Sequence, residues 1–390
     1  MKISVVICEY NPFHRGHEKQ IRQIREQFHL TGEDCAVISL MSGNFVQRGE
    51  PAIFDKYTRA AAAIAGGSDL VLELPFPFCA GGAAYFAQAG VRLADSLGCA
   101  DFLFFGSESG DMDRLAITAR RLEDPDFCRE LEDARQSGIA SPESDIRLRH
   151  RLYTAHFGDS LPETPNDILG VEYIAALLRE QSPICPVALL RQGTESAADA
   201  RRRMIDGEDA AELIPPAAAA CMTGSPLVTL DSLGDVLLAC LRLAPPGAFD
   251  HCDGAEGGLG RRIAAAASDT CDITGLLTRC ATKKYTAARI RRTLLNGILG
   301  VTRDQLNARP AFTTVLALND RGRSLLAHMR KTARIPIHTK PSAGAHAPLE
   351  EVRIQHAMNA RADALYALAL HRPGNFFLKQ HPVIVPGSHT

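Results

Sequence analysis

The stretch "ISVVICEYNPFHRGH", residues 3–17, places an apolar run directly before a turn that carries two histidines. The run "ISVVIC" (3–8) is rich in Val and Ile and predicts a buried strand, and a helical pattern follows over residues 16–28. Asn11 and Pro12 favour a tight turn between them. In an open parallel sheet such a turn lies at the carboxyl edge, where helix N-termini offer unpaired N–H groups to ligands. This stretch therefore predicts an α/β fold and the position of its site.

The same alternation of strand and helix continues along the first half of the chain. Further strands are predicted at "CAVISLM" (35–41), "DLVLELP" (69–75), "ADFLFFG" (100–106) and "CPVALLR" (185–191), and helices at 53–65, at 83–97 and in a stretch that ends with "PNDILGVEYIAALLRE" (165–180). We expect a doubly wound, parallel, five-stranded Rossmann-like sheet, with residues 110–164 as a helical insertion.

The strand signal fades after residue 205, which predicts two domains, 1–205 and 206–390. Residues 208–330 read as mainly helical. The stretches "ARIPIHTK" (333–340) and "HPVIVPG" (381–387) are candidates for short strands of the mainly α-helical second domain.

Composition narrows the class of protein. The 390 residues are 46% hydrophobic, carry a net charge of −2 and include 11 scattered cysteines without a CxxC pair. These values favour a globular protein with reduced thiols over a disulfide framework, a zinc site or a wholly basic nucleic-acid binder. The sequence lacks a signal peptide and any run of ~18 apolar residues, so we expect a cytoplasmic protein without a membrane span.

His14 and His17 lie three residues apart in the predicted first helical turn and can share one face. Two imidazoles there can donate hydrogen bonds to a polyphosphate as pyrophosphate leaves, and Gly16 allows a ligand close to the backbone. A histidine at a helix start is also commonly a cap or a surface residue. Zinc is disfavoured because no third ligand stands out.

"NPFHRGH" resembles the G/P-F-H-x-G-H signature of the nucleotidyltransferase superfamily, whose members transfer the adenylyl group of ATP and release pyrophosphate. Five further motifs follow in order: "MSGNFVQRGEPAIFDKYTRA" (41–60), "SDLVLELPF" (68–76), "FFGSESGD" (104–111), "PNDILGVEY" (165–173) and "LLRQ" (189–192). Together they resemble the tRNA(Met) cytidine acetate ligase family, strongly over the first 205 or so residues and more loosely to about residue 285.

The resemblance implies a two-step reaction. Acetate and ATP, which is expected to bind together with Mg²⁺, give acetyl-adenylate and pyrophosphate, and the acetyl group then passes to N4 of the wobble cytidine of elongator tRNA(Met) with release of AMP. Magnesium is expected because it bridges phosphate oxygens. The first domain would bind ATP and the second would bind tRNA.

The resemblance also implies an ATP site, with His14, His17 and Arg191 as its catalytic residues. Its members are Ile7, Cys8, Glu9, Tyr10, Asn11, Pro12, Phe13, His14, Arg15, Gly16, His17, Glu18, Lys19, Gln20, Gly106, Asn166, Arg191 and Gln192. Gly106 would admit the nucleotide at a strand end, Asn166 would read a ring edge or a ribose hydroxyl, and Arg191 would bind phosphate. Gly106 as a plain turn residue and Asn166 as a helix cap remain alternatives.

Two charged segments are candidates for the remaining substrates. In "VQRGEPAIFDKYTRA" (46–60), Arg48 and Lys56 are candidates to bind acetate or pyrophosphate, although a solvated loop and a capped helix explain it nearly as well. The run "TRCATKKYTAARIRR" (278–292) has no acidic residue. Its proposed tRNA-binding side chains are Lys283, Lys284, Tyr285, Arg289 and Arg292, opposite a buried stripe of Ala287, Ile290, Leu294 and Ile298. A solvated helix face is the alternative.

One segment departs from the family pattern. Ser196, Ala197 and Arg201 match it, whereas Ala198 and Asp199 stand where hydroxyls are usual, after a shortened loop. A carboxylate at a polyphosphate-binding helix start would weaken adenylation. A tRNA-binding protein with a decayed adenylating site and a small-molecule adenylyltransferase therefore stay open beside the ligase.

Overall fold

The parallel sheet is present in the computed structural model, which describes residues 1–136, 145–191, 193 and 196–385. The strands are β1 (Lys2–Cys8), β2 (Cys35–Ser42), β3 (Leu70–Leu74), β4 (Phe102–Ser107), β5 (Cys185–Leu190), β6 (Thr313–Leu318), β7 (Ile337–His338) and β8 (Val383–Ile384). The first five pair in parallel in the order β5-β4-β1-β2-β3. The predicted five-stranded core is therefore confirmed.

The sheet does not stop at five strands. Strand β6 pairs antiparallel with β3, with Val71 opposite Ala317, and β7 and β8 both pair in parallel with β6. The described residues thus form one mixed sheet of eight strands. The helical interpretation of residues 208–330 missed β6 because its short apolar run, "TTVLAL", has no periodicity that separates a buried strand from a buried helix. The division into domains at residue 205 stays a prediction.

Helices cover the sheet and fill most of the remaining described chain. They are α1 (Arg15–Leu30), α2 (Lys56–Ala65), α3 (Ala83–Ser96), α4 (Met112–Leu122), α5 (Pro125–Gln136), α6 (Asp145–Phe157), α7 (Pro165–Arg179), α8 (Ala197–Asp206), α9 (Pro216–Met222), α10 (Gly234–Leu243), α11 (Leu259–Asp269), α12 (Ile273–Cys280), α13 (Ala287–Leu299), α14 (Arg303–Asn307), α15 (Asp320–Thr332) and α16 (Glu350–Ala369).

The predicted helices are found with small shifts at their ends. Helix α2 begins at Lys56 rather than at residue 53, because the Asp55 side chain accepts the backbone N–H groups of Tyr57 and Thr58 and so caps it there. Helices α4, α5 and α6 make up the predicted insertion. Among the described residues, no helix is both long enough and apolar enough to cross a bilayer.

A fully buried cluster of charges ties the C-terminal helix α16 to the sheet. Lys56 Nζ lies 2.7 Å from Glu73 Oε1 on β3 and 2.6 Å from Asp363 Oδ2 on α16. Burial alone would lower the pKa of Lys56, but the carboxylates of Asp363 and Glu73 raise it. Lys56 is therefore a cation that neutralises two buried carboxylates.

We predict that Lys56→Met lowers the free energy of unfolding by about 3–5 kcal/mol, because it leaves two buried carboxylates without their cation. Burial already raises the pKa of Asp363. The folded state therefore binds a proton on Asp363 more tightly than the unfolded state does. The free energy of unfolding consequently falls as the pH rises through the raised pKa of Asp363. The deficit of the variant should grow between pH 5 and pH 8 in urea titrations.

Lys2→Met is the matched control, because Lys2 forms an exposed pair with Glu33 at 3.5 Å. Its loss should cost about 0–1 kcal/mol. A loss of unfolding free energy of that size in Lys56→Met, or a loss that does not change with pH, would contradict a buried charge cluster.

Candidate functional site

A cleft of about 640 Å³ opens at the carboxyl ends of β1, β4 and β5. The loop after β2 and the N-terminal ends of α1, α7 and α8 complete its walls. Of the residues predicted for the ATP site, the cleft is lined by Ile7, Cys8, Glu9, Tyr10, Asn11, His14, Gly16, His17, Lys19, Gln20, Gly106, Asn166 and Arg191. Five separated sequence motifs therefore meet at the predicted sheet edge.

The two histidines cap α1 reciprocally. His14 Nδ1 accepts the backbone N–H of Gly16 at 3.0 Å, and His17 Nδ1 accepts the backbone N–H of His14 at 3.2 Å. The ring centroids are 3.8 Å apart. Capping and ligand binding are therefore compatible roles here, because each ring caps the helix through Nδ1 and not through Nε2.

These hydrogen bonds determine where the ring protons lie. A neutral imidazole whose Nδ1 accepts a hydrogen bond carries its proton on Nε2. Burial lowers the pKa of His17 well below its usual value, and His14 and Arg191 lower it further. His17 thus stays neutral at physiological pH and presents an Nε2–H donor.

The backbone of the α1 start does not offer the predicted unpaired N–H groups. The N–H of Arg15 donates to the Leu213 carbonyl at 2.9 Å, that of Gly16 to His14 Nδ1, and those of His17 and Glu18 to the His14 carbonyl. The expectation of a backbone anion site at α1 was therefore wrong. Any anion at this point is met by side chains instead.

The motifs "FFGSESGD" and "PNDILGVEY" are joined by hydrogen bonds to the carboxylates of Glu108 and Asp167. Glu108 accepts the side-chain N–H of Asn166 and the backbone N–H groups of Asn166 and Asp167 at the start of α7. Asp167 in turn accepts the hydroxyls of Ser107 and Thr164. Burial would raise the pKa of Asp167, but hydrogen bonds led by that from Ser107 hold it below its usual value. Asn166 is at the second position of the helix and is not its cap, and it faces the cleft.

Gly106 packs closely against the Arg191 side chain, and its backbone angles do not demand glycine. A Cβ atom at Gly106 would lie 3.3 Å from Cγ of Arg191 and 3.4 Å from its Cδ. The glycine thus leaves room for the Arg191 side chain, which lines the cleft from the end of β5.

The remaining wall combines the end of β1, the loop after β2 and the start of α8. Glu9 Oε1 accepts the backbone N–H of Gln47 at 2.8 Å, and Arg201 on α8 donates to the Asn11 carbonyl. Arg48 also lines the cleft and is exposed. The first residues of α8, Ala197 and Ala198, face the cleft, so this helix N-terminus offers its positive end there.

The departure at Asp199 does not place a carboxylate in the cleft. Asp199 pairs with Arg202 at 2.9 Å and with Arg203 at 3.3 Å, and it does not line the cleft. The Ser196 hydroxyl caps α8 by accepting the Asp199 N–H. The Asp199 carboxylate is thus neutralised by two arginines outside the cleft, and the effect of this helix start on adenylation stays a prediction.

Some predicted site residues lie elsewhere. Pro12, Phe13, Arg15 and Glu18 do not line the cleft, and Gln192 lies outside the described residues. Lys56 is buried in the charge cluster described above, so it cannot meet acetate or pyrophosphate.

The basic run around residue 285 is less exposed than its sequence suggests. Tyr285 precedes α13, is buried, and donates its hydroxyl proton to the Gly257 carbonyl. Arg289 stacks over the Tyr285 ring at 5.3 Å and lies 3.7 Å from Glu256. The predicted aromatic platform was thus wrong. Ala287 is exposed, whereas Ile290 and Leu294 are buried as predicted. Lys283 is exposed and Lys284 is half-buried.

Helix α13 packs against the loop Val46–Glu50, which forms one wall of the cleft. Arg292 Nη1 donates to the Gln47 carbonyl at 3.3 Å, and Arg291 Nε lies 3.0 Å from Glu50 Oε1. Gly49 has φ +71°, and a Cβ there would lie 2.5 Å from the Arg292 backbone nitrogen. Arg292 is therefore a structural contact to the cleft wall, and its predicted contact with tRNA stays a prediction.

Several polar residues that line the cleft were not among the predicted site residues, including Glu50, Glu108 and Arg201. Glu50 and Glu108 lie inside two of the quoted motifs, and Arg201 lies on α8. Their charge is visible in the sequence, but which charged side chains of a loop or helix face the cleft depends on the packing of distant segments.

Comparison with known proteins gives consistent matches. Residues 1–380 match the model of the HIGH Nucleotidyl Transferase family. The chain is 34% identical over 377 residues to a tRNA(Met) cytidine acetate ligase of Halothermothrix orenii (87% of this chain, 88% of the relative). It is 32% identical to that of Acetivibrio thermocellus (88% and 89%). The crystal structure of Thermotoga maritima TmcAL bound with alpha-thio ATP superposes with a TM-score of 0.90 at 31% identity, covering 99% of this chain and all of that one.

We predict that His17 is a neutral Nε2–H imidazole at pH 6, because its Nδ1 accepts a backbone N–H and its pKa is lowered. Long-range ¹H–¹⁵N correlation spectra of histidine-labelled protein report both the tautomer and the charge. His17→Asn identifies the signal. A protonated ring, or a proton on Nδ1, would contradict the capping geometry.

Proposed function

The chain belongs to the tRNA(Met) cytidine acetate ligase family of HIGH nucleotidyl transferases, and on that premise we propose the reaction that its cleft performs. It activates acetate with ATP and transfers the acetyl group to N4 of the wobble cytidine of elongator tRNA(Met). The observation that carries this proposal is the pair of Nε2–H donors from His14 and His17 beside Arg191 in one cleft.

The first step is attack of an acetate oxygen on the α-phosphorus of ATP. The new O–P bond forms as the bond to pyrophosphate breaks, and no proton has to be removed because acetate is ionised at neutral pH. The cleft contributes position and charge stabilisation. His14 and His17 donate to phosphate oxygens where charge builds up, and Arg191 and the α8 N-terminus attract the polyphosphate.

Magnesium would enter bound to phosphate oxygens of ATP. Within the described ranges, no three His, Cys, Asp or Glu side chains are grouped so as to hold a metal ion.

The second step needs the wobble base inside the cleft. An anticodon-loop base can be splayed out at lower cost than a base in a duplex. Helix α13 contacts the loop Val46–Glu50, so RNA bound beside α13 reaches the acetyl-adenylate across that loop. This arrangement supports tRNA as the acceptor over a small molecule. The cytoplasm, where tRNA and ATP are found, is the expected compartment.

The decayed-site alternative loses its main argument, because Asp199 is paired outside the cleft. The His14–His17 cap and the Glu108–Asn166 contact are both intact. These features support an active adenylating site.

The direct test is mass spectrometry of elongator tRNA(Met) after incubation with the protein, ATP, magnesium and isotope-labelled acetate. We expect the label on the wobble cytidine. His14→Ala and His17→Ala should each lower acetate-dependent ATP–pyrophosphate exchange by about 10²–10³-fold, since each removes a donor to the developing charge.

Arg330→Ala, on α15 and outside the cleft, is the control and should leave exchange unchanged. Exchange that depends on another acid would favour a small-molecule adenylyltransferase. Bound tRNA without any exchange would favour the decayed-site alternative.

We predict that Lys283→Ala combined with Lys284→Ala weakens tRNA binding and makes the slope of log K against log salt shallower by about 1–2, because up to two phosphate contacts are lost. Filter binding over a salt series measures this slope. Exchange without tRNA should be unaffected, since neither side chain lines the cleft. An unchanged slope would show that the RNA binds elsewhere.

A further inference from the structure

Three carboxylates line the cleft, and their oxygens differ in what they already bind. Both oxygens of Glu108 accept N–H groups at the start of α7. Glu50 is ion-paired with Arg291 at 3.0 Å. Glu9 accepts one hydrogen bond at Oε1, from Gln47, and within the described part of the chain no donor is bonded to its Oε2. Glu9 thus has an oxygen available to a substrate.

Glu9 also lies on the side of the cleft from which RNA would arrive. It follows the last residue of β1 and is hydrogen-bonded to the loop Val46–Glu50. That loop is the cleft wall that α13 contacts through Arg291 and Arg292. A base that enters past α13 therefore meets the Glu9 side of the cleft.

The histidines, the buried thiol and the buried phenols of the cleft are not suited to accept a proton from this base. His14 and His17 use Nδ1 as helix caps and carry protons on Nε2, so both are donors. Burial raises the pKa of Cys8, Tyr10 and Tyr173, which therefore stay protonated. The acetyl-transfer step nevertheless releases a proton from the amine.

We propose, resting on the function proposed above, that Glu9 accepts the proton of the cytidine N4 amino group during acetyl transfer. The N4 lone pair attacks the acetyl carbonyl carbon and forms the N–C bond. The C–O bond to AMP breaks and its electron pair leaves with the AMP phosphate. The N4 proton passes to Glu9 Oε2 and is released to water after the products leave.

The electrostatic surroundings suit this role. Burial raises the pKa of Glu9 above its usual value, and the Gln47 N–H, Arg201, Arg59 and Arg48 limit the rise. Cys8 and Tyr173 also interact electrostatically with Glu9. A carboxylate with a raised pKa is a better proton acceptor near neutral pH than an ordinary one.

The test is Glu9→Gln, which keeps an oxygen for the Gln47 N–H and loses the proton acceptor. Adenylation is measured as acetate-dependent ATP–pyrophosphate exchange, and transfer as single-turnover acetylation of tRNA(Met) from synthetic acetyl-adenylate. We expect transfer to fall about 100-fold relative to exchange, in line with the usual contribution of a general base. Wild-type transfer should decline as the pH falls through the raised Glu9 pKa, and the variant should lose that dependence.

Glu108→Gln is the matched control, because it acts through Asn166 and should lower exchange and transfer by the same factor. An equal loss of both activities in Glu9→Gln, or no loss in either, would overturn the proposal and leave Glu9 a structural residue. Failure of the wild-type protein to acetylate tRNA(Met) would overturn the proposed function instead.

Discussion

The reciprocal cap between His14 and His17 is the interaction on which the cleft depends. It begins α1 directly after the first parallel strand, and it fixes each ring by its Nδ1 atom. The same hydrogen bonds that satisfy two backbone N–H groups therefore set the tautomer of the rings. The same two hydrogen bonds thus stabilise the start of α1 and set the donors of the site. A substitution at either histidine therefore affects both helix stability and the chemistry of the cleft.

A second constraint holds the cleft walls together over long distances in sequence. Asn44, at the start of the loop after β2, donates to Asp363 on α16, which also pairs with Lys56. Arg59 donates to the carbonyls of Glu9 and Ser42. The loop after β2 is therefore held by two sets of contacts, the buried charges on one side and helix α13 on the other. A buried ion network requires its partners in fixed positions, because each unpaired charge would be costly.

The sequence predicts the sheet better than it predicts the site. Runs such as "ISVVIC" and "DLVLELP" mark buried parallel strands, since an apolar run of that length has few other uses in an α/β pattern. Strand β6 was not predicted, because its partner, β3, is more than two hundred residues away in sequence and its own apolar run is short. The predicted substrate contacts of Lys56 and Tyr285 were wrong for a related reason. Charge and aromaticity are visible in a sequence, but burial depends on distant residues such as Asp363 and Gly257.

The loop Val46–Glu50 connects the cleft to helix α13 of the second half of the chain. One side of the loop is hydrogen-bonded to Glu9 in the cleft, and the other packs against α13 so closely that only glycine is accommodated at Gly49. Backbone contact of that kind transmits displacement, because neither partner has a flexible side chain to absorb it. Gln47 takes part in both contacts, since its N–H donates to Glu9 and its carbonyl accepts from Arg292. The contact with α13 therefore holds in place the residue that orients the Glu9 carboxylate.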